Sequence, residues 1–291
     1  MVFVFLVAVL LLRSSAQTGS GIDSAKAWDH LRTLVNIGPR VSGTPGNAQA
    51  RQYILETLGT MGITASEQAF GAETPRGRVN MANLIATLPG SRPERIALGT
   101  HFDTKQFREF RFVGANDGGS STALVLELAR VLQARRRLFA IDLLFFDGEE
   151  ALVEWGPSDG TYGSRHYVGA ARTAGTLSSL KALVLLDMVG DRQLAFRRES
   201  NSTPWLTDLV WAAARRLGHQ QHFLADSTPI EDDHLPFLRA GVPSVDIIDL
   251  DYAPWHTASD TIEQVSARSL QVTGEVVLAA LQDIEARLAK N

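Results

Sequence analysis

Cysteine is missing from all 291 residues of the chain. That excludes a disulfide framework, thiolate metal ligands and a lipid-modified cysteine anchor. Stability must therefore come from the core, or from a metal held by oxygen and nitrogen donors. An excess of either charge is missing too: 28 Lys and Arg stand against 32 Asp and Glu, a formal net charge of -4. Such a balance argues against nucleic acid or an anionic membrane surface as a partner. The one basic cluster, Arg135 to Arg137, falls at a predicted helix end, where cations complement the helix dipole. Internal repeats and low-complexity tracts are absent. The long apolar run is Met1 to Leu12, too short to span a bilayer, followed by Arg13, Ser14, Ser15 and Ala16. This pattern predicts a signal peptide over 1–16, cleavage before Gln17, and export without a stable membrane anchor to a periplasm or the exterior. A polar, Gly/Ser-rich linker is expected over 17–24 and a catalytic domain over 25–291.

What is present is an ordinary globular composition, 45% hydrophobic and 21% charged. The stretch Ile141 to Glu150, IDLLFFDGEE, organises the rest. Its apolar run, broken only by Asp142, reads as a strand buried on both faces of a sheet, and Glu149 and Glu150 follow where that strand ends. Ligands bind at the carboxyl ends of strands in open α/β sheets. Adjacent carboxylates repel, so a cation that binds one and frees the other for proton transfer accounts for the pair.

Further strands are predicted around Phe70 and over Asn83–Leu88, Arg95–Thr100, Lys181–Met188 and Pro243–Ile248. Helices are predicted over Ala25–Val35, Ala48–Gly59, Thr122–Leu132, from near Ser164, over Trp205–Leu217, briefly from Asp232 to before Gly241, and over Ala267–Leu288. Alternation of this kind indicates one α/β domain with a largely parallel sheet. The reading places His101, Asp117, Glu149 with Glu150, Asp187 and His256 at the ends of separate strands, Asp117 at a strand-to-helix junction. Mixed imidazole and carboxylate donors suit a catalytic zinc with an open position for substrate. Strand-end acids also cap helices, so no one of these residues is diagnostic alone. His30, His219 and His222 are expected at the surface.

Taken in order, TH-x-D, GANDGG, FFDGEEA, YGSRH, LLDMVG, DDHLPFL and WHT resemble the zinc exopeptidase family that includes aminopeptidases, and more narrowly its glutaminyl-peptide cyclotransferase branch. Trp155, Asp232 in DDHLPFL, and Trp255 directly before His256 favour that branch. The resemblance covers Ala25 to the C-terminus and implies a three-layer α/β/α sandwich around a central mixed sheet. It implies that Asp117, Glu150 and His256 bind one zinc and that Glu149 is the general acid/base. Asp187 and Asp232 would hold the substrate nitrogens, and Trp155 and Trp255 would wall a closed pocket the size of one side chain. The implied reaction turns an N-terminal glutamine of peptides or proteins into pyroglutamate and releases ammonia, the protein acting as a monomer. Gln17, once exposed by cleavage, would itself be a substrate.

The chain departs from the branch in two places. Asp246, expected with Tyr252 among the substrate-binding residues, stands where the animal enzymes have a histidine, and imidazole can donate a hydrogen bond while neutral, as a carboxyl can only when protonated. The loop before His256 is a residue shorter, which bears on matching Tyr252 to the family's pocket aromatic. His166 and His234 fall inside motifs, with a structural role hydrogen-bonding neighbouring loops. Two other readings stand beside this one. In an aminopeptidase, His101, Asp117, Glu150, Asp187 and His256 would bind two metals, and Glu149 would activate water. In a non-catalytic module the metal would be structural, but closed structural sites rarely keep a spare acid such as Glu149.

Overall fold

Alternating side chains along the central strands decide the layering. In β4 (Ala140–Phe146) every residue is buried; Leu143 and Phe145 enter one hydrophobic cluster, while Leu144 and Phe146 enter another on the opposite face. In β5 (Leu180–Asp187) Val184 and Leu186 fall on the first side and Leu183 and Leu185 on the second. The period-two alternation of a pleated strand puts apolar residues on both faces, so both faces need a cover of helices. In the computed structural model, which describes residues 21–290, that cover is present.

The larger cluster carries α1 (Ser24–Ile37), α2 (Pro45–Thr60), α3 (Ser121–Gln133), α5 (Pro204–Arg216) and α7 (Ala267–Leu288); the smaller carries α4 (Tyr162–Thr173) and α6 (His234–Arg239). Between them lies a six-stranded sheet of order β1-β2-β4-β3-β5-β8, with β1 Ala65–Thr74, β2 Gly77–Leu88, β3 Arg95–His101 and β8 Ser244–Ile248. The strands β4, β3, β5 and β8 run parallel, and β2 and β1 add antiparallel pairings at one edge. This is the three-layer α/β/α sandwich with a mixed, largely parallel sheet.

Asp142, the one polar break in β4, is fully buried, and its charge is met by Arg95 at 2.5 Å from the neighbouring strand and by the Thr87 hydroxyl at 2.7 Å. A buried charge persists where partners of this kind satisfy it.

Some expectations lie outside the described residues, and others need correction. The signal segment 1–16 lies outside the described residues, as do 17–20. The rest of the expected linker is docked: Ile22 enters the larger core, and the Asp23 carboxylate caps α1 by accepting from Ala25 and Lys26. A second, two-stranded parallel sheet, β6 (Phe196–Glu199) with β7 (Phe223–Thr228), was not expected, because short polar strands show no apolar alternation. Asp117 does not follow a strand directly; a loop over 102–114 intervenes. His219 is buried, its Nε2 2.9 Å from Glu275, and His30 is half-buried against the Tyr53 hydroxyl. His166 stacks on Phe70 at 4.3 Å. Arg137 does cap the end of α3, donating to the Leu132 carbonyl.

One contact holds α4 against the strand end that delivers the paired glutamates. A Cβ on Gly163 would lie 2.3 Å from Asn83 Oδ1 and 2.5 Å from the Asp147 carbonyl, and Asn83 itself bridges to Asp147 N–H. Gly163→Ala is therefore expected to destabilise the fold by about 1–3 kcal/mol through overpacking. Urea denaturation measures it; an unchanged midpoint would mean that α4 moves aside freely.

Candidate active site

Four successive parallel strands end on the same edge, and their ends supply the polar centre. His101 is the last residue of β3 and Asp187 the last of β5; Glu149 and Glu150 follow β4 after a turn at Gly148, where φ is 74°. Glycine adopts that left-handed backbone without steric cost. A buried carboxylate, Asp103, then fixes the pair: its oxygens accept the backbone N–H of Glu149 at 3.1 Å and of Glu150 at 3.2 Å. Asp117 arrives from the turn Ala115–Ser120 before α3, held by Asp260, which accepts from Asn116 N–H at 2.8 Å and Asp117 N–H at 3.2 Å. His256 comes from the loop after β8 with φ 54°, a strained value for a side-chain-bearing residue of the kind found at functional sites. Its ring is boxed by Trp255, stacked at 4.2 Å, and by the edges of Phe107 and Phe112.

Asp117, Glu150 and His256 converge. His256 Nε2 lies 3.3 Å from Asp117 Oδ2 and 3.1 Å from Glu150 Oε1. The residues fit a metal by a direct observation: Asp117 Oδ2 is buried and has no hydrogen-bond partner, so a cation is the group that would satisfy it. Two carboxylates and one imidazole, with the cavity on the remaining side, leave room for a fourth ligand from substrate. Burial alone would lower the His256 pKa, but Asp117 and Glu150 raise it to about 9.

A second set shares Asp117: His101 Nε2 lies 3.3 Å from Asp117 Oδ1 and 3.1 Å from Asp187 Oδ1. That Asp187 oxygen also accepts Met188 N–H at 2.8 Å, so its lone pairs are already engaged by protein donors. Met188, at φ 46°, carries backbone strain beside it.

Glu149 sits next to this centre and outside both sets. Its pKa is raised well above the usual carboxylate range, first by burial and then by Glu150, Asp232 and Asp233, against the opposing field of His101. Asp232 is likewise raised, to about 7, by burial and by Asp187. A buried acid that holds its proton more tightly than an exposed carboxyl is suited to general acid/base chemistry.

Asp117, Glu149, Glu150, Asp187, Asp232, Trp155, Trp255 and His256 all face one cavity of about 550 Å³, as sequence reasoning had gathered them. The cavity is larger and more open than the expected one-residue pocket: Trp155 is 37% exposed and Trp255 42% exposed, and Val153, Ile230 and Leu250 extend an apolar wall outward. Trp155 is oriented by its indole N–H donating to Glu231, and its loop is pinned by Asp159, which accepts from three consecutive backbone N–H groups, Leu152 to Glu154.

Two expected substrate-binding residues are elsewhere. Tyr252 is buried with its hydroxyl donated to Asp260 at 2.7 Å, and Asp246 is fully buried beneath the floor; neither lines the cavity. Sequence reasoning gave no role to Asp103, Asp159, Asp260 or Lys105, whose ammonium lies 3.6 Å from Glu150. Asp103 alone had left a signal, in TH-x-D.

A mixed sheet with a His/carboxylate cluster across the ends of its parallel strands defines the class of metal-dependent exopeptidase folds. The model of Peptidase family M28 matches residues 83–281, and the chain belongs to that family, in its glutaminyl-peptide cyclotransferase branch. The glutaminyl-peptide cyclotransferase of Drosophila melanogaster is 33% identical over 260 residues, 79% of this chain and 73% of that protein. The glutaminyl-peptide cyclotransferase of Bos taurus is 30% identical, over 93% of this chain and 85% of its own. The crystal structure of an Acidobacteriales bacterium glutaminyl cyclase is 38% identical and superimposes with a TM-score of 0.89, covering 94% of this chain and 98% of that one.

Proposed function

We propose that the chain is a zinc-dependent glutaminyl-peptide cyclotransferase, which closes the N-terminal glutamine of a peptide or protein to pyroglutamate with release of ammonia. The observation that carries the reading is Glu149: a buried acid beside a cation-binding cluster that does not use it, facing a cavity lined by two tryptophans. In this reaction the α-amine attacks its own side-chain amide carbon, the new C–N bond forms, and the old C–N bond breaks. Glu149 accepts the proton lost by the amine and delivers it to the departing nitrogen, which leaves as ammonia. Zinc held by Asp117, Glu150 and His256 would supply a Lewis acid for the amide oxygen. Asp187 and Asp232, on the same cavity wall, hold the nitrogens in the folded-back conformer, and positioning of this kind lowers the barrier by removing unproductive geometries. Trp155 and Trp255 flank the side chain, and the apolar wall beyond them accommodates the following residue.

A two-metal aminopeptidase is the second reading, favoured by the donor set His101, Asp117 and Asp187. Mass spectrometry of a peptide beginning with glutamine separates the two. Loss of ammonia from an otherwise whole peptide is expected; release of the first residue would instead establish the aminopeptidase.

No helix among the described residues is long and apolar enough to cross a membrane. The reading includes export through 1–16 and conversion of the exposed Gln17 to pyroglutamate, which an intact mass of exported protein tests.

A further inference from the structure

Beneath the cavity floor lies a polar cluster of which the proposed reaction uses only Asp232. His234 opens α6 and Asp246 lies in β8; both are completely buried. Asp232, which lines the cavity, is the third member, and one ligand atom from each of the three lies within 4.8 Å of the others. Both Asp246 oxygens, Asp232 Oδ2 and both ring nitrogens of His234 are buried with no hydrogen-bond partner, an expensive condition for a folded protein.

Charge sharpens the deficit. Asp187, Asp232, Asp233 and Glu199 all act on Asp246 with the same negative sign. Among the described residues, no lysine or arginine forms an ion pair with Asp232, Asp246 or Glu199; the imidazole of His234 is the sole basic partner. Something positive is needed between these oxygens.

The histidine indicates what it is. His234 Nε2 lies 3.1 Å from Glu199 Oε2, a carboxylate otherwise held by Ser202, Asn201 and Ile230 N–H donors. With its proton on Nε2, the side nearer Glu199, His234 presents the Nδ1 lone pair, which lies 3.7 Å from Asp246 Oδ2. A carboxylate behind a histidine whose other nitrogen faces two more carboxylates is the arrangement that orients metal-ligating imidazoles. Donors around a tetrahedral ion with bonds of about 2.0–2.2 Å lie roughly 3.4 Å apart, so ligand atoms that lie within 4.8 Å of one another would draw together around the ion, the widest pair by about an ångström.

We propose that Asp232, His234 and Asp246 form a second, buried divalent-cation site of the zinc type, with Glu199 as the outer carboxylate that orients His234. It would tie the start of α6 to β8 and hold Asp232 in the cavity floor, and the ion would enter from the cavity past Asp232. The site shares Asp232 with the reaction proposed above, but it is read by metal content rather than turnover, so the two readings fail separately.

The test uses the full chain loaded with zinc chloride, freed of excess ion, and assayed by plasma mass spectrometry for zinc per folded chain. Two zinc ions per chain are expected in the parent and in Asp187→Asn. Asp246→Asn and His234→Gln should each hold one, and Asp117→Asn should lose the other. Near-ultraviolet circular dichroism checks folding. Should both buried variants misfold, the counts of the parent, Asp187→Asn and Asp117→Asn still decide. A parent with a single zinc overturns the proposal and leaves a proton shared between Asp232 and Asp246. Two zinc ions of which Asp187→Asn removes one overturn it as well, by placing the second ion in the cleft beside His101.

Discussion

Glu149→Gln lowers the turnover of a peptide beginning with glutamine by about 10²–10⁴-fold, the span that one positioned proton-transfer group contributes. The change keeps the size and shape of the side chain. It also keeps the backbone N–H bonds of Glu149 and Glu150 to Asp103, so the pair stays placed. What it removes is the capacity to take a proton from the attacking amine and return it to the leaving nitrogen. Asp187 and Asp232 face the same cavity, yet neither replaces it. Asp187 Oδ1 is occupied by His101 and Met188 N–H, and Asp232 is committed to holding the substrate nitrogens. Because the group acts in the transition state, kcat should fall with kcat/KM while KM stays near the parent value. Ammonia release followed at saturating and limiting peptide, with metal content measured on the same samples, checks this. A variant within about tenfold of the parent, with its metal retained, would remove Glu149 from the proton-transfer role.

How much of this was legible beforehand follows from where the information sits along the chain. The strands β3, β4 and β5 announce themselves because burial on both faces demands unbroken apolar runs, and the polar residues at their ends are conspicuous by contrast. His101, Glu149, Glu150 and Asp187 could therefore be found, and the sheet gathered them. Asp117 and His256 were gathered with them as strand-end candidates although each reaches the centre from a loop, and whole-motif resemblance gave them the role of metal ligands. Asp103 and Asp260 work through backbone N–H groups of residues far away in sequence, Asp260 across 143 positions to Asp117, and no periodicity encodes such a bond. The placements of Tyr252 and Asp246 went astray for a related reason. Whether a side chain faces a cavity or the layer beneath it depends on packing of separate loops, here the small cluster Met188, Ile230, Ile248 and Tyr252. The β6/β7 sheet was invisible because four of its ten residues are charged and its strands are short.

His256→Ala should be the most damaging single change to the metal cluster, lowering kcat/KM by at least about 10³-fold. A Lewis acid stabilises the developing charge by several kcal/mol, and about 4 kcal/mol corresponds to that factor. The cause is electrostatic as well as a matter of ligand count. Asp117 and Glu150 are both buried, and burial followed by the field of Asp117 already raises the Glu150 pKa. Without the imidazole between them the two acids face each other, and a proton shared by the pair competes with the ion. Lys105, 3.6 Å from Glu150, would neutralise one acid but cannot act as a ligand while charged. Asp260→Asn provides the contrast. It disturbs the hold on the backbone of Asp117 but leaves all three ligands in place, so ion affinity should fall only about 10–100-fold. Activity lost in Asp260→Asn should therefore return as zinc is raised, whereas activity lost in His256→Ala should not. A His256→Ala protein that retained its full zinc and the parent rate would show that the ion sits elsewhere, and the set His101, Asp117 and Asp187 would become the place to look.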